Sequence, residues 1–369
     1  MFYAPQSGGV RTYLAAKHRV LGAMPGVRHS ILIPGASYTQ CAGIHTVPAL
    51  PIPFGHGYRF PLRAGTWRNR LMQLRPDVIE AGDPYRLPWA ALAAGERLGA
   101  PVVGFYHSDL PRLVRVRFGS VWCRAADRYV RRLYPRFDLT LAPSRVVADY
   151  LRSAGIPRVA VQPLGVDIEC FHPRLRDENL RHELGLSRRT RLLIFAGRGA
   201  REKNIPVLLD TLRHLGPRYH LLLVGPGMPA REIPSNVTVL PSYYDGAVLA
   251  RWFASADALI HAGTQETFGL VVLEAMASGL PVIGTTFGAV AELVSPDTGV
   301  LADRACARVL AEATEHLFMR DLRATGRCAR ARAETHWSWF SVFQQLLSHY
   351  ARLVNTGAPM ELTPVHYAR

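Results

Sequence analysis

HAGTQETFGLVVLEAMASGLPVIG, residues 261–284, reads as strand end, loop, helix, turn and strand. Gly263 closes the first strand. A helix is expected from about Gly269 to Ser278, with Gly279 in the place of a C-cap glycine and Pro281 blocking continuation. A helix start attracts anions, because its unpaired amides and its dipole point at the ligand. The amides of Phe268, Gly269 and Leu270 are placed to do this. Glu266 falls in the loop just ahead of the helix, and Glu274 about one and a half turns inside it. Carboxylates accept hydrogen bonds from the vicinal hydroxyls of a sugar or a ribose. An isolated helix glutamate is usually a solvated charge. Here Val271, Val272, Leu273, Ala275 and Met276 surround Glu274 in the sequence. A nearly wholly apolar helix implies burial, and a buried acid needs partners.

Outward from this stretch, apolar runs alternate with segments of helical length. Strands are expected at Pro101–Tyr106, Leu139–Ala142, Val159–Pro163, Leu192–Gly197, His220–Gly225, Val237–Leu240, Ala258–His261 and Pro281–Gly284. The alternation argues for an α/β protein with parallel sheets covered by helices on both faces. A chain of 369 residues is too long for one ordinary core and suits two domains. The boundary is expected within 165–190, where a strand ends, a polar segment follows and a new strand opens at Arg191. The expected division is an N-terminal domain over 1–167, a C-terminal domain over 168–337, and a terminal helix and tail over 338–369. In that last segment Trp339, Phe340, Phe343, Leu346, Leu347 and Tyr350 recur at helical spacing. The tail after Asn355 is expected to be loose.

Three further motifs lie at strand ends, where α/β ligands bind. In FAGRGAREKNIPVLLDTL (195–212), Arg198 and Lys203 flank a basic loop and offer two cations to a diphosphate. In SGGVRTYL (7–14), paired glycines such as Gly9 let the backbone approach a ligand closely. In GFYHSDLP (104–111), His107 ends an apolar strand and can hydrogen-bond a sugar hydroxyl. Taken singly, each has a plain structural reading: solvated charges, a tight turn, a core histidine. The glycine loop begins at Pro5 and only Met1–Ala4 precede it, too few for the buried strand that should open a doubly wound domain. The expectation is a start called too late, or a first sheet left incomplete.

Composition limits the alternatives. The net charge is +16, carried by 42 arginines and two lysines, Lys17 and Lys203. That balance fits arginine-rich codon usage, or an anionic partner such as nucleotide phosphates, nucleic acid or an acidic membrane. No nucleic-acid reader motif is present and the charge is spread along the chain, so no nucleic-acid partner is expected. Five scattered cysteines form no C-x-x-C pair and read as buried free thiols. No D-x-D pair occurs, so no metal and no cofactor are expected. No apolar run spans a bilayer and no secretion signal opens the chain, which reads as cytoplasmic. Residues 112–136 hold eight arginines and four aromatics, with Tyr106 just upstream, against one acid, Asp127. This pattern suits peripheral docking on an anionic membrane, the inner face of the plasma membrane being the expected place, as well as it suits an ordinary arginine-rich helix face.

The ordered set of motifs resembles family 4 glycosyltransferases of the GT-B fold, over nearly the whole chain. The likeness rests on E-x7-E at Glu266 and Glu274, G-R…E-K-N at 197–204, L-A-P-S at 141–144 and P-L-G-V-D…F-H-P at 163–173. HSDLP (107–111), IPRV (156–159) and QETFGLVVLEAMASGLPVIG look like bacterial GDP-mannose-dependent α-mannosyltransferases that act on glycolipids. The resemblance implies two Rossmann-like doubly wound domains facing a central cleft, with the terminal helix crossing back to the N-terminal domain. It implies that Glu274 binds the nucleotide ribose and Glu266 the donor sugar. Arg198 and Lys203 would hold the diphosphate, Gly9 would face the phosphates, and His107 would lie near the donor sugar. Retaining, metal-independent transfer of a hexose to a lipid or glycan acceptor is the implied reaction. UDP-sugar-dependent glucosyl or sulfoquinovosyl transfer to lipid is an alternative. A nucleotide-sugar-binding protein without transfer activity, or an epimerase of this fold, is an alternative of another class.

Overall fold

The computed structural model describes residues 8–52 and 58–356. Met1–Ser7, which include the start of the glycine loop, and the tail from residue 357 lie outside the described residues. The chain forms two compact units, Met1–Pro163 with Val342–Arg369, and Leu164–Ser341.

The first unit holds β1 (Ile31–Gly35), β2 (Thr39–Cys41), β3 (Ile44–Pro48), β4 (Leu50–Pro51), β5 (Arg59–Phe60), β6 (Ile79–Ala81), β7 (Val102–Phe105), β8 (Leu139–Ala142) and β9 (Val159–Val161). Its helices are α1 (Gly9–Gly22), α2 (Ala64–Leu74), α3 (Leu87–Leu98), α4 (Leu110–Phe118), α5 (Ser120–Leu133) and α6 (Arg145–Ser153). β6-β7-β8-β9 form a parallel sheet in that order. β1 pairs parallel with β3, and β2 pairs antiparallel with β3, in a separate sheet of order β1-β3-β2. β4 and β5 make a small antiparallel pair. β7 and β8 are buried at every position, as strands covered on both faces must be. Short, proline-interrupted strands such as β1 (ILIPG) carry too little apolar pattern to be legible in the sequence.

The second unit holds β10 (Arg191–Ala196), β11 (Tyr219–Val224), β12 (Val237–Leu240), β13 (Ala258–Ile260), β14 (Val282–Thr285) and β15 (Gly299–Ala302). Its helices are α7 (Asn179–Glu183), α8 (Ile205–Leu215), α9 (Gly246–Ser255), α10 (Leu270–Ala277), α11 (Val290–Leu293), α12 (Ala307–Phe318) and α13 (Leu322–Trp337). The sheet is parallel with order β12-β11-β10-β13-β14-β15. The chain enters mid-sheet at β10, winds outward, then returns to β13 and winds the other way. This is a doubly wound Rossmann-like sheet whose order reverses between β10 and β13. Leu193, Phe195, Leu221 and Leu223 of the central strands pack on Leu208, Leu212, Leu310 and Leu317 of α8 and α12.

Helix α14 (Trp339–Thr356) begins as the chain leaves the second unit. Its body packs on the first unit. The Gln162 side-chain amide donates to the Val342 carbonyl at 3.0 Å, and Gln345 Nε2 donates to the Val161 carbonyl at 3.3 Å. The Tyr13 and Phe343 rings lie 5.8 Å apart. The cysteines correct the sequence reading: Cys41, Cys306 and Cys328 are exposed, Cys123 and Cys170 half-buried, and all five are free. No helix among the described residues is long and apolar enough to cross a membrane.

Candidate functional site

Parallel pairing of β10 with β13 sets the loops that follow them side by side at the reversal point of the second sheet. The loop after β10 carries Arg198 and Lys203. Asn204 ends it in the left-handed region, at φ 51°, and its side-chain amide donates to the Ala262 carbonyl at 2.9 Å, tying one loop to the other. The loop after β13 carries Glu266, whose carbonyl accepts from the Ala289 amide at 3.1 Å. Gly269 then turns the chain into α10 at φ 97°, a conformation costly for any residue with a side chain. At the other end, the Gly279 amide donates to Met276 and the Leu280 amide to Ala275, with Gly279 at φ 77°. That is a Schellman ending, and it fixes α10 to the residues expected within about one position.

Three side chains converge here. The Lys203 ammonium donates to the Glu266 carboxylate, and His261 Nε2 lies 3.1 Å from the same oxygen. The Gly263 amide donates to His261 Nδ1 at 3.2 Å, so Nδ1 is an acceptor and Nε2 carries the proton toward Glu266. His261 is fully buried. Burial by itself would raise the Glu266 carboxyl, but the His261 hydrogen bond and the Lys203 charge outweigh it and hold the acid far below the ordinary range. Glu266 is therefore anionic at any physiological pH and has its acceptor capacity only partly used.

Glu274 has the opposite character. No hydrogen bond or ion pair reaches its carboxylate from the described residues, and burial pushes its pKa up to about 7. An acid that lacks protein partners at a half-buried position has lone pairs for ligand hydroxyls. Arg198 differs again: its side chain is 66% exposed, with the guanidinium 3.7 Å from Glu202. Phe268 is buried just before the Gly269 cap, and Leu270 is the first helical residue. Arg198, Lys203, Glu266, Phe268, Gly269, Leu270 and Glu274 thus share the β10 and β13 loops and the adjoining helix.

Gly9 and His107 belong to the first unit. Gly9 is the exposed first residue of α1. His107 follows β7, stacks on Phe105 at 3.9 Å, and faces the Tyr13 ring of α1 at 4.9 Å. Burial, aided by the Lys17 charge and opposed by Glu80, lowers its pKa to about 4, so it is neutral at pH 7. Next to it lies a network that sequence reading passes over. Lys17 meets Glu80 at 2.8 Å and donates to the Tyr350 hydroxyl at 2.9 Å; Tyr350 and Tyr13 donate to Glu80. The chain's two lysines thus both pair with shielded glutamates, while its arginines stand mostly at the surface. His261 is the other residue the sequence leaves without a role, although a histidine ending an apolar strand was a usable signal.

Residues 7–170 match the family described as Glycosyltransferase Family 4, and residues 190–320 match Glycosyl transferases group 1. The chain is 30% identical over 354 residues to a GDP-mannose-dependent alpha-(1-6)-phosphatidylinositol dimannoside mannosyltransferase of Mycobacterium tuberculosis, covering 90% of each chain. It is 37% identical over 322 residues to a GDP-mannose-dependent alpha-mannosyltransferase of Mycolicibacterium smegmatis, covering 83% of this chain and 82% of that one. Among solved structures, sucrose-phosphate synthase from Thermosynechococcus elongatus superposes with a TM-score of 0.75 at 20% identity, covering 95% and 94% of the two chains.

Proposed function

The chain belongs to glycosyltransferase family 4, a retaining hexosyltransferase of the GT-B fold, and from that premise we propose that it transfers mannose from GDP-mannose to a lipid-linked acceptor. The observation that carries the reading is the cluster at the reversal point of the second sheet: an exposed Arg198, the Lys203–Glu266–His261 group, and Glu274 with a raised pKa, around the start of α10. Mannose and GDP are favoured by the similarity to the two mycobacterial GDP-mannose-dependent mannosyltransferases.

In this reading the C1–O bond to the diphosphate breaks and a C1–O bond to the acceptor hydroxyl forms on the same face. The acceptor proton passes to a departing phosphate oxygen. Charge grows on the diphosphate, where Arg198, Lys203 and the amides of Phe268, Gly269 and Leu270 would stabilise it. Glu266 would hold donor-sugar hydroxyls, and Glu274 the ribose. His261 would be a positioning residue for Glu266. Gly9 and His107 keep the roles their motifs suggest, amides toward phosphate and a neutral imidazole toward the sugar. Nucleotide release by the purified protein with GDP-mannose, UDP-glucose and UDP-N-acetylglucosamine tests the donor. Preference for either UDP-sugar would overturn the assignment.

The lipid acceptor draws support from the α4–α5 hairpin. Leu113, Phe118, Val121 and Trp122 are exposed there, Trp122 by 63%. Arg115, Arg124, Arg128, Arg131 and Arg132 are exposed around them. Apolar side chains that enter the headgroup boundary, flanked by cations that meet anionic lipid, make an interfacial docking surface.

A further inference from the structure

Thr66, Asn69, Arg70 and Gln73 of α2 stand at i, i+3, i+4 and i+7, so they share one face of the helix. That face is polar throughout, whereas Trp67 packs into the unit with Val47 and Ala90. The polar face borders a groove of about 590 Å³, lined on its other side by Tyr38, Thr39 and Gln40. Thr39 and Gln40 belong to β2, the outer edge strand of the β1-β3-β2 sheet. The volume lies within the range of about 300–1,000 Å³ common for small-molecule sites. Among the described residues, none from β6, β7, β8 or β9, nor from the loop that carries His107, lines this groove. It is separate from the site described above.

The polar groups of the groove are held in fixed orientations. Arg70 lies 2.9 Å from Nδ1 of His45, which is buried on β3. A guanidinium can only donate, so this nitrogen is the acceptor. Burial, and then the Arg70 charge, lower the His45 pKa and keep the ring neutral for that task. Arg70 also donates to Gln73 Oε1 at 2.9 Å and to Gln40 Oε1 at 2.7 Å. Both glutamines are thereby forced to turn their amide nitrogens away from Arg70, each with two hydrogens to donate. Arg68 does the same for Asn69, donating to its Oδ1 at 3.4 Å. On the strand side, Thr46 gives its one hydroxyl proton to the Ser37 carbonyl at 2.6 Å. The proton between the Thr46 and Thr39 hydroxyls, 2.8 Å apart, is therefore that of Thr39, whose oxygen keeps its lone pairs. Tyr38 is 59% exposed and adds an aromatic face.

We propose that this groove is an auxiliary sugar-binding site, which holds one neutral pyranose through the Gln40, Asn69 and Gln73 amides, the Thr39 oxygen and the Tyr38 ring. Sugar hydroxyls accept from the three amides and donate to Thr39. The C–H side of a pyranose covers the Tyr38 ring, which offers an apolar body beside a polar tip. A metal ion is disfavoured because no acid lines the groove. An oxyanion is disfavoured because it would meet the Thr39 lone pairs, and because the terminal nitrogens of Arg70, the one cation among the described lining residues, already serve Gln40, Gln73 and His45. Arg70 acts as a positioning residue for the two glutamines. A second sugar site raises the effective concentration of a glycan-bearing molecule around the enzyme. That consequence rests on the transferase reading above; the binding itself does not.

The test is saturation-transfer difference NMR on the full chain with methyl α-mannoside and methyl α-glucoside at millimolar concentration, and no nucleotide sugar present. Gln40→Glu combined with Gln73→Glu keeps an oxygen for Arg70 and deletes two amide donors, so it spares the scaffold and alters only what the groove offers. Tyr38→Ala removes the aromatic face from an exposed position. At least one glycoside is expected to give a signal with the unaltered protein, and each variant should reduce it about fivefold or more with Tm unchanged. No signal from either glycoside would overturn the inference. So would a signal equal in all three proteins, which would place the sugar elsewhere, or one displaced by an equal concentration of inorganic phosphate, which would make this an anion site. Because no donor is present, failure of the GDP-mannose assignment would leave these outcomes unchanged.

Discussion

Glu266 and Glu274 are eight positions apart and titrate in opposite directions, because one has cationic and histidine partners and the other has only burial. Between about pH 4.5 and 7 folded Glu274 binds more protons than the unfolded chain, so its contribution to stability is lost as pH rises through that window. Glu274→Gln should raise Tm at pH 8 by roughly 3 °C and leave it little changed at pH 5. The same variant should weaken nucleotide binding about tenfold. Calorimetry at the two pH values, with a nucleotide titration, checks both parts; a variant less stable at pH 8 contradicts the charge argument. Lys203→Ala should cut nucleotide release about 30-fold, a barrier increase of roughly 2 kcal/mol. Unchanged turnover would remove Lys203 from the leaving-group site.

At the scale of elements, the Lys17–Glu80–Tyr350 network joins α1, β6 and α14. Both charged partners are shielded, with side chains 4% and 10% exposed. Removing one partner of such a pair strands the other, which costs more than the pair itself contributes. Lys17→Met should lower stability by about 3 kcal/mol at pH 7. Burial tends to raise the Glu80 acid, but Lys17 and the hydrogen bonds hold it below its ordinary value. The stability it contributes is therefore present above about pH 4.5 and falls as pH drops through the folded value. The deficit of the variant should shrink toward pH 4, where the stranded acid takes up a proton. Denaturant melts of both proteins at pH 7 and pH 4 test this, and a deficit independent of pH would assign the loss to packing alone.

At the scale of the whole molecule, a net charge of +16 attracts anionic surfaces at long range, and salt screens that attraction. Cosedimentation with vesicles containing phosphatidylserine should be strong at low salt and weaken at least tenfold at 0.5 M salt. Neutral phosphatidylcholine vesicles should bind weakly. Trp122→Ala should reduce the binding that survives salt, since that fraction comes from apolar insertion. Absence of binding to anionic vesicles at low salt would end the membrane proposal.

The sequence by itself determined what local periodicity and turn chemistry can encode. The apolar runs marked β7 to β14, Gly279 and Pro281 marked the end of α10, and the alternation of strand and helix required parallel sheets. Tertiary structure alone decided which strands became neighbours. Lys203 meets Glu266 across 63 positions, and Lys17 meets Tyr350 across 333, because sheet order and helix packing bring them together. His261 gained a role only once its ring nitrogens had partners. The physical reason is range: propensities and caps act over a few residues, whereas pairing and burial depend on surfaces that exist only after the chain has packed.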